Sequence, residues 1–136
     1  MKLRQGMMAL AVAGALGCAG SALALTKEEM KTEKDRIEAE YKSAKNRCDE
    51  LKGNAKDICM AEAKGAQKVA KAELEARDKN TDKHRANVQK AKAEADYEVA
   101  KERCDDMSGN AKDACKKDAK AAFEAAKSNA KVSSAK

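Results

Sequence analysis

Apolar residues recur at helical spacing along the first half of the chain. Met30, Ile37, Tyr41, Ala44, Cys48 and Leu51 fall at the a and d positions of one heptad frame, with Lys34 as the exception. The frame returns as Ala86, Ala93, Tyr97, Ala100, Cys104 and Met107, and Lys90 is the same exception. Two further stripes alternate with these. One is Cys59, Ala63, Ala66, Ala70 and Leu74, and the other is Cys115, Ala119, Ala122, Ala126 and Ala130. Each medium-sized stripe is therefore followed by one that is nearly all Ala, and small side chains let paired helices approach closely. Helix formers dominate and no Pro interrupts them. The pattern predicts helices at 27–52, 55–78, 82–108 and 111–131.

The pattern is an internal repeat. Gly53-Asn54-Ala55-Lys56-Asp57 recurs without change as Gly109-Asn110-Ala111-Lys112-Asp113, 56 residues later, and Tyr41, Cys48 and Cys59 recur at that offset as Tyr97, Cys104 and Cys115. A shared Tyr, two Cys and a Gly-Asn at one offset mark a duplication. Each repeat reads as helix, tight turn, helix. Gly53 and Gly109 are expected to end the first helix of each repeat in a left-handed conformation. Asn54 and Asn110 then cap the second helices, and Asp57 and Asp113 sit at N3, facing the positive end of the helix dipole. The expected fold is all-α: two tandem antiparallel helical hairpins, four helices in all, each hairpin stapled by one disulfide. The expected organisation is a leader at 1–24, hairpins at 25–78 and 83–131, a linker at 79–82 and a frayed tail at 132–136.

The leader has three parts. Lys2 and Arg4 are a basic start, Met7 to Gly20 is an uncharged apolar run, and Ala22-Leu23-Ala24 is a cleavage site of the A-x-A kind. This pattern predicts a signal peptide and a periplasmic protein with no transmembrane segment after its removal. Leu16-Gly17-Cys18 partly matches a lipobox, but Ala15 stands where Leu is usual, so a lipoprotein anchored through Cys18 is the less favoured outcome. Cleavage after Ala24 leaves Cys48, Cys59, Cys104 and Cys115, an even number.

Composition sharpens the role of those cysteines. Leu, Ile, Val and Phe together number ten after residue 24, too few for the usual hydrophobic core of a chain this long. Cys48 and Cys59 lie symmetrically about the Gly53-Asn54 turn on inward stripes, which brings them within disulfide range in a hairpin; Cys104 and Cys115 repeat the arrangement. If the helices ran through the Gly-Asn steps, Cys48 would pair with Cys115 and Cys59 with Cys104 instead.

Charge and motif content set the function classes. Of the 136 residues 38% are charged, with 29 Lys+Arg against 23 Asp+Glu, and 2% are aromatic. So few aromatics exclude a base-stacking nucleic-acid module, and no block of five like charges supports a specific nucleic-acid groove. The lone His84 reads as a surface residue, and C-x₁₀-C is not metal-ligand spacing. No catalytic, cofactor-binding or metal-ligating residues are expected, and no cofactor.

The segments Tyr41–Lys64 and Tyr97–Lys120 resemble a family of small exported proteins of Gram-negative bacteria. Its members carry a duplicated Tyr-Lys-x-Ala-Lys-x-x-Cys-Asp-x-Leu-x-Gly-Asn-Ala-Lys-Asp-x-Cys-x-x-Glu-Ala-Lys segment, from which the second copy here departs at Met107 and Asp118, among other positions. Some members are labelled as cell-envelope proteins similar to the helical stalk protein of the Tol system. A stalk protein of that kind carries a transmembrane anchor and a globular C-terminal domain, and this sequence shows neither. The resemblance implies an exported location and no particular activity. The expectation is a non-enzymatic periplasmic helical protein, a structural or interaction module of the cell envelope whose partner is another envelope protein or a second copy. The alternatives are a binder of polyanions (lipopolysaccharide, peptidoglycan or nucleic acid) and a thiol redox protein.

Overall fold

The computed structural model describes residues 24–134, with side chains to Val132. Of the expected leader only Ala24 falls within that range; Cys18 and Ala22 lie outside the described residues. The described chain is helical almost throughout: α1 (Lys27–Asp49), α2 (Gly53–Asp78), α3 (Asp82–Cys104) and α4 (Gly109–Ser134).

Local chemistry starts the odd-numbered helices. Thr26 caps α1 in a full capping box: Glu29 N–H donates to Thr26 Oγ1 at 3.2 Å, and Thr26 N–H donates to Glu29 Oε2 at 2.8 Å. Thr81 caps α3 by accepting from His84 N–H at 3.3 Å. The even-numbered helices begin differently from the expectation. Gly53 and Gly109 are left-handed, with φ of +56° and +55°, but each opens the following helix instead of ending the one before. Lys52, extended at φ −132° and ψ 158°, is the N-cap of α2, and no side chain caps it. Asn54 lies too late to cap: its Nδ2 donates to the carbonyl of Glu102 at 2.8 Å, in the last turn of α3. Asp57 is consequently beyond the first turn of α2, and neither α2 nor α4 has an acidic residue in its first turn.

The left-handed glycines also shorten α1 and α3, which end at Asp49 and Cys104 instead of 52 and 108. The chain tightens there through Leu51 N–H to Cys48 O and Met107 N–H to Cys104 O, both 3.0 Å, then extends into the glycine. Leu51 and Met107 thereby leave the inward stripes and stand 42% and 47% exposed. At the other end α4 continues to Ser134, past the expected limit at 131, since no Gly or Pro follows Ala130 to stop it.

Among the described residues each helix packs only on its neighbours in the chain: α1 on α2, α2 on α3, α3 on α4. The result is an up-down-up-down array one helix thick, closer to a solenoid than to a bundle. Its two antiparallel hairpins are each stapled by one disulfide, Cys48–Cys59 and Cys104–Cys115. The most extensive interface is α2 on α3, between the hairpins, so the array is a continuous layer and Lys79–Thr81 is a turn within it.

The buried side chains are small and few: Ile37, Cys48, Ala63, Leu74, Val88, Ala91, Ala93, Cys104 and Ala130. Most lie on the expected stripes. Val88 and Ala91 belong to a second stripe on α3, continued by Ala95, Val99 and Glu102, which faces α2. A helix in the middle of a layer must be apolar on two sides, and α3 is.

Candidate interaction surfaces

The disulfides define one end of the array. Their Cα–Cα separations are 5.4 and 5.6 Å. Close approach of Ala-rich helices makes such spacings reachable. Cys48 and Cys104 are each 1% exposed, so one sulfur of each bridge is sealed inside its hairpin. Two bridges of this kind fit an oxidising compartment. The crossed pairing of Cys48 with Cys115 does not occur, because the chain reverses at Gly53 and Gly109.

Asp105 sits beside the second bridge and accepts from Lys112 and Lys116, both at 2.8 Å. These two ammonium groups lower its carboxyl pKa to about 2. In the first hairpin Asp49 has one such partner, Lys56 at 2.9 Å, and is lowered in the same sense; Met60 stands where the second hairpin has Lys116.

The close contact between the hairpins is made at a glycine. A Cβ on Gly65 would stand 2.7 Å from the Ala95 Cβ, so α2 and α3 meet there nearly backbone to side chain. Ion pairs flank the contact: Glu62 with Arg103 at 3.1 Å, Glu73 with Lys92 at 2.9 Å, and Lys68 with Glu94. Gly65 escaped the sequence reading. Its signal was a lone glycine inside an Ala-rich helix at the position that Ala121 occupies in the other hairpin.

Shallow grooves run on either side of this contact. The larger, about 590 Å³, spans α2, α3 and α4. Met60 and the aromatic pair Tyr97–Phe123 form its apolar floor, and Asp57, Lys64, Glu98 and Glu102 lie along its rim. The two rings stack with centroids 4.9 Å apart and 14° between planes. Lys101 stands over Tyr97 at 5.2 Å and Lys127 over Phe123 at 5.0 Å. Both rings are half-buried. The first hairpin lacks this pair: Tyr41 has Gln67 where Tyr97 has Phe123, and Gln67 Nε2 donates to Glu38 at 2.8 Å. Asp57, expected at a helix start, is thus placed on a groove wall.

The α1 edge of the layer is polar, and α4 is mixed, with Ala121, Ala125 and Val132 exposed. Thr32, Asp35 and Ser43 of α1 stand where α3 has Val88, Ala91 and Val99, and all three are exposed. Lys117 of α4 stands where α2 has Ala61, and it too is exposed. A further hairpin docking on α1 would meet Thr32, Asp35 and Ser43 instead of a methyl stripe, as a terminal repeat in a solenoid requires.

His84 is half-buried at the start of α3, with Nδ1 2.7 Å from Thr81 Oγ1. Among the described residues no group of three or more His, Cys, Asp or Glu is placed to hold a metal ion, and no helix is long and apolar enough to cross a membrane. Comparison with known proteins finds no family model, no curated protein and no solved structure that matches the chain.

Proposed function

We propose that the chain is an exported, non-enzymatic helical protein of the cell envelope that works as a structural or interaction module. Removal of a leader after Ala24, a periplasmic location, descent of the two hairpins from one ancestral unit and kinship with the small exported proteins carrying the duplicated Cys segment all belong to this reading. The observation that carries it is the groove over α2, α3 and α4. Met60, Tyr97 and Phe123 line it. The stacked aromatic pair in its floor is only half-buried, and charged residues surround it. An apolar, aromatic centre within a polar rim is the anatomy of a protein interface. The occupant is a segment of another envelope protein or a second copy of this chain.

Site-specific photo-crosslinking in intact cells tests the reading. A photoreactive residue at Met60 or Glu98 should give a discrete adduct that disappears in a Phe123→Ala background, while one at Thr32 on the polar edge should give none. The same adducts from Thr32, or none from the groove, would count against an interaction module. Recovery of the uncleaved chain from the cytoplasm would count against export.

A further inference from the structure

Both disulfides are asymmetric in the same sense. Cys48 and Cys104, at the ends of α1 and α3, are each 1% exposed. Their partners Cys59 and Cys115, in the second turns of α2 and α4, are only half-buried. The asymmetry recurs although the neighbouring side chains differ, with Met60 beside one bridge and Lys116 beside the other. It therefore belongs to the shared helix–turn–helix geometry.

An apolar side chain stands in solvent close to each bridge. Leu51 and Met107 are 42% and 47% exposed, and with Val132 they are the large hydrophobic side chains exposed among the described residues. Each lies three residues past the sealed cysteine, to whose carbonyl its N–H donates at 3.0 Å. The residues that follow, Lys52 and Ser108, are exposed as well. Lys52 is extended, at φ −132° and ψ 158°. An accessible sulfur, an apolar side chain in water and a short non-helical segment are thus grouped at each turn. Leu51 and Met107 add little to the core, and burying either against another surface would be favourable.

We propose that Cys59 and Cys115 are the sites at which a dithiol oxidoreductase of the C-x-x-C kind forms a mixed disulfide with this chain, holding Leu51 or Met107 beside its reactive cysteine. Access decides which sulfur of a disulfide a thiolate attacks. The partner's first thiolate attacks Sγ of Cys59. A new S–S bond joins the two proteins, the Cys48–Cys59 bond breaks, and its electron pair leaves on Sγ of Cys48, which takes a proton. The partner's second cysteine thiolate then attacks its own first sulfur. That step closes the partner's disulfide and releases Cys59, which takes a proton in turn. Two electrons have passed to the bridge: it is reduced and the partner oxidised. The same steps in reverse install the bridge. Cys115 and Cys104 play the parts of Cys59 and Cys48 in the second hairpin. A sealed thiolate is a poor leaving group; this slows the exchange but does not redirect it, because the sealed sulfur offers an attacker no approach. The chain is the substrate here and supplies no catalytic residue.

The test mixes the oxidised protein with a C-x-x-C oxidoreductase whose second cysteine is replaced by Ser, so that the mixed disulfide accumulates. Iodoacetamide caps the freed thiol, and mass spectrometry locates both. Adducts on Cys59 and Cys115 should exceed those on Cys48 and Cys104 by about tenfold or more. Leu51→Ser should slow adduct formation at Cys59 about tenfold through the lost apolar contact, and Met107→Ser should do the same at Cys115. Neither should change the rate with glutathione, which needs no docking surface, nor lower the melting temperature, since both side chains are exposed. Equal labelling of both sulfurs in a bridge would mean that exchange follows opening of the hairpin, and would overturn the proposal. So would absence of any adduct, or unchanged rates with the oxidoreductase in both serine variants. Equal slowing with oxidoreductase and glutathione would overturn the docking role of Leu51 and Met107.

Discussion

Gly65 and Ala95 hold the two hairpins together at a distance that leaves no room for another methyl group: a Cβ at position 65 would lie 2.7 Å from that of Ala95. Gly65→Ala should therefore destabilise the protein, although Ala is the better helix former by about 1 kcal/mol. The overpacking cost of about 1–3 kcal/mol exceeds that gain. Gly65→Ala/Ala95→Gly should recover part of the loss, since it moves the missing methyl to the other helix. Ala121→Gly, at the matching but exposed position of α4, should cost only the propensity term. Thermal melts of the four proteins check this, and a Gly65→Ala variant that melts higher than the parent refutes the close contact.

Each disulfide closes a loop with a sequence separation of 11, and its removal should cost about 3 kcal/mol. Because each helix touches only its chain neighbours, the losses should stay local. Cys48→Ala/Cys59→Ala should release α1, which packs on α2 alone, while α3 and α4 keep their amide protection against hydrogen exchange. Uniform loss of protection along the chain, or a reduced protein that melts as high as the oxidised one, would contradict this picture.

Gly53 and Gly109 are left-handed with open space around a would-be Cβ, so their replacement by Ala should cost conformational energy alone, about 1–2 kcal/mol each. Asn54→Ala should also cost about 1 kcal/mol, by a different route: its lost bond goes to Glu102 of α3. The distinction is measurable by hydrogen exchange. Gly53→Ala should loosen the first turn of α2, whereas Asn54→Ala should loosen the last turn of α3. Fraying of α2 alone in Asn54→Ala would restore the helix cap.

Asp105 gives the fold a defined acid response. Its carboxyl lies at about 2 in the folded protein, below its ordinary 3.8. A folded-state pKa that is depressed contributes stability above the unfolded value and loses it as pH falls through the folded one, here between about pH 4 and pH 2. Glu29, Glu33 and Asp49 are lowered too, by the Thr26 cap, Arg36 and Lys56 respectively, and act in the same sense. The difference in melting temperature between the parent and Asp105→Asn should shrink across that interval and also with added salt, which screens an exposed pair. A difference that does not change from pH 7 to pH 2 would mean that Lys112 and Lys116 do not act on Asp105 through charge.

Much of this architecture was legible in the chain because it is local. The spacing of Ile37, Tyr41, Ala44 and Cys48 places one helix face, and the Gly-Asn turn between Cys48 and Cys59 brings the sulfurs together. What was not legible is non-local. Assigning each helix one inward stripe suits an isolated hairpin but misses Val88, Ala91 and Ala95, the second face of α3. Ala both favours helix and tolerates exposure, so an Ala-rich sequence marks its faces weakly. Leu51 and Met107 were placed on stripes that α1 and α3 do not extend far enough to carry, since the extended residues before each glycine use up that length. The stacking of Tyr97 on Phe123 had only one weak signal, an aromatic residue where the first hairpin has Gln67.

The position of the two staples sets how the chain bears load. The start of α1 and the end of α4 lie at the same end of the array, and both disulfides lie at the other. Tension on the chain ends would unzip each hairpin from its open end, breaking Ala contacts and exposed ion pairs a few at a time at low force. Within each hairpin the opening stops at Cys48–Cys59 or Cys104–Cys115, where a covalent bond takes the load and passes it to α2 and α3. Under pulling the protein is a short spring with two hard stops: it yields over a set length, keeps both turns closed, and re-forms by zipping from a fixed point when the tension is released.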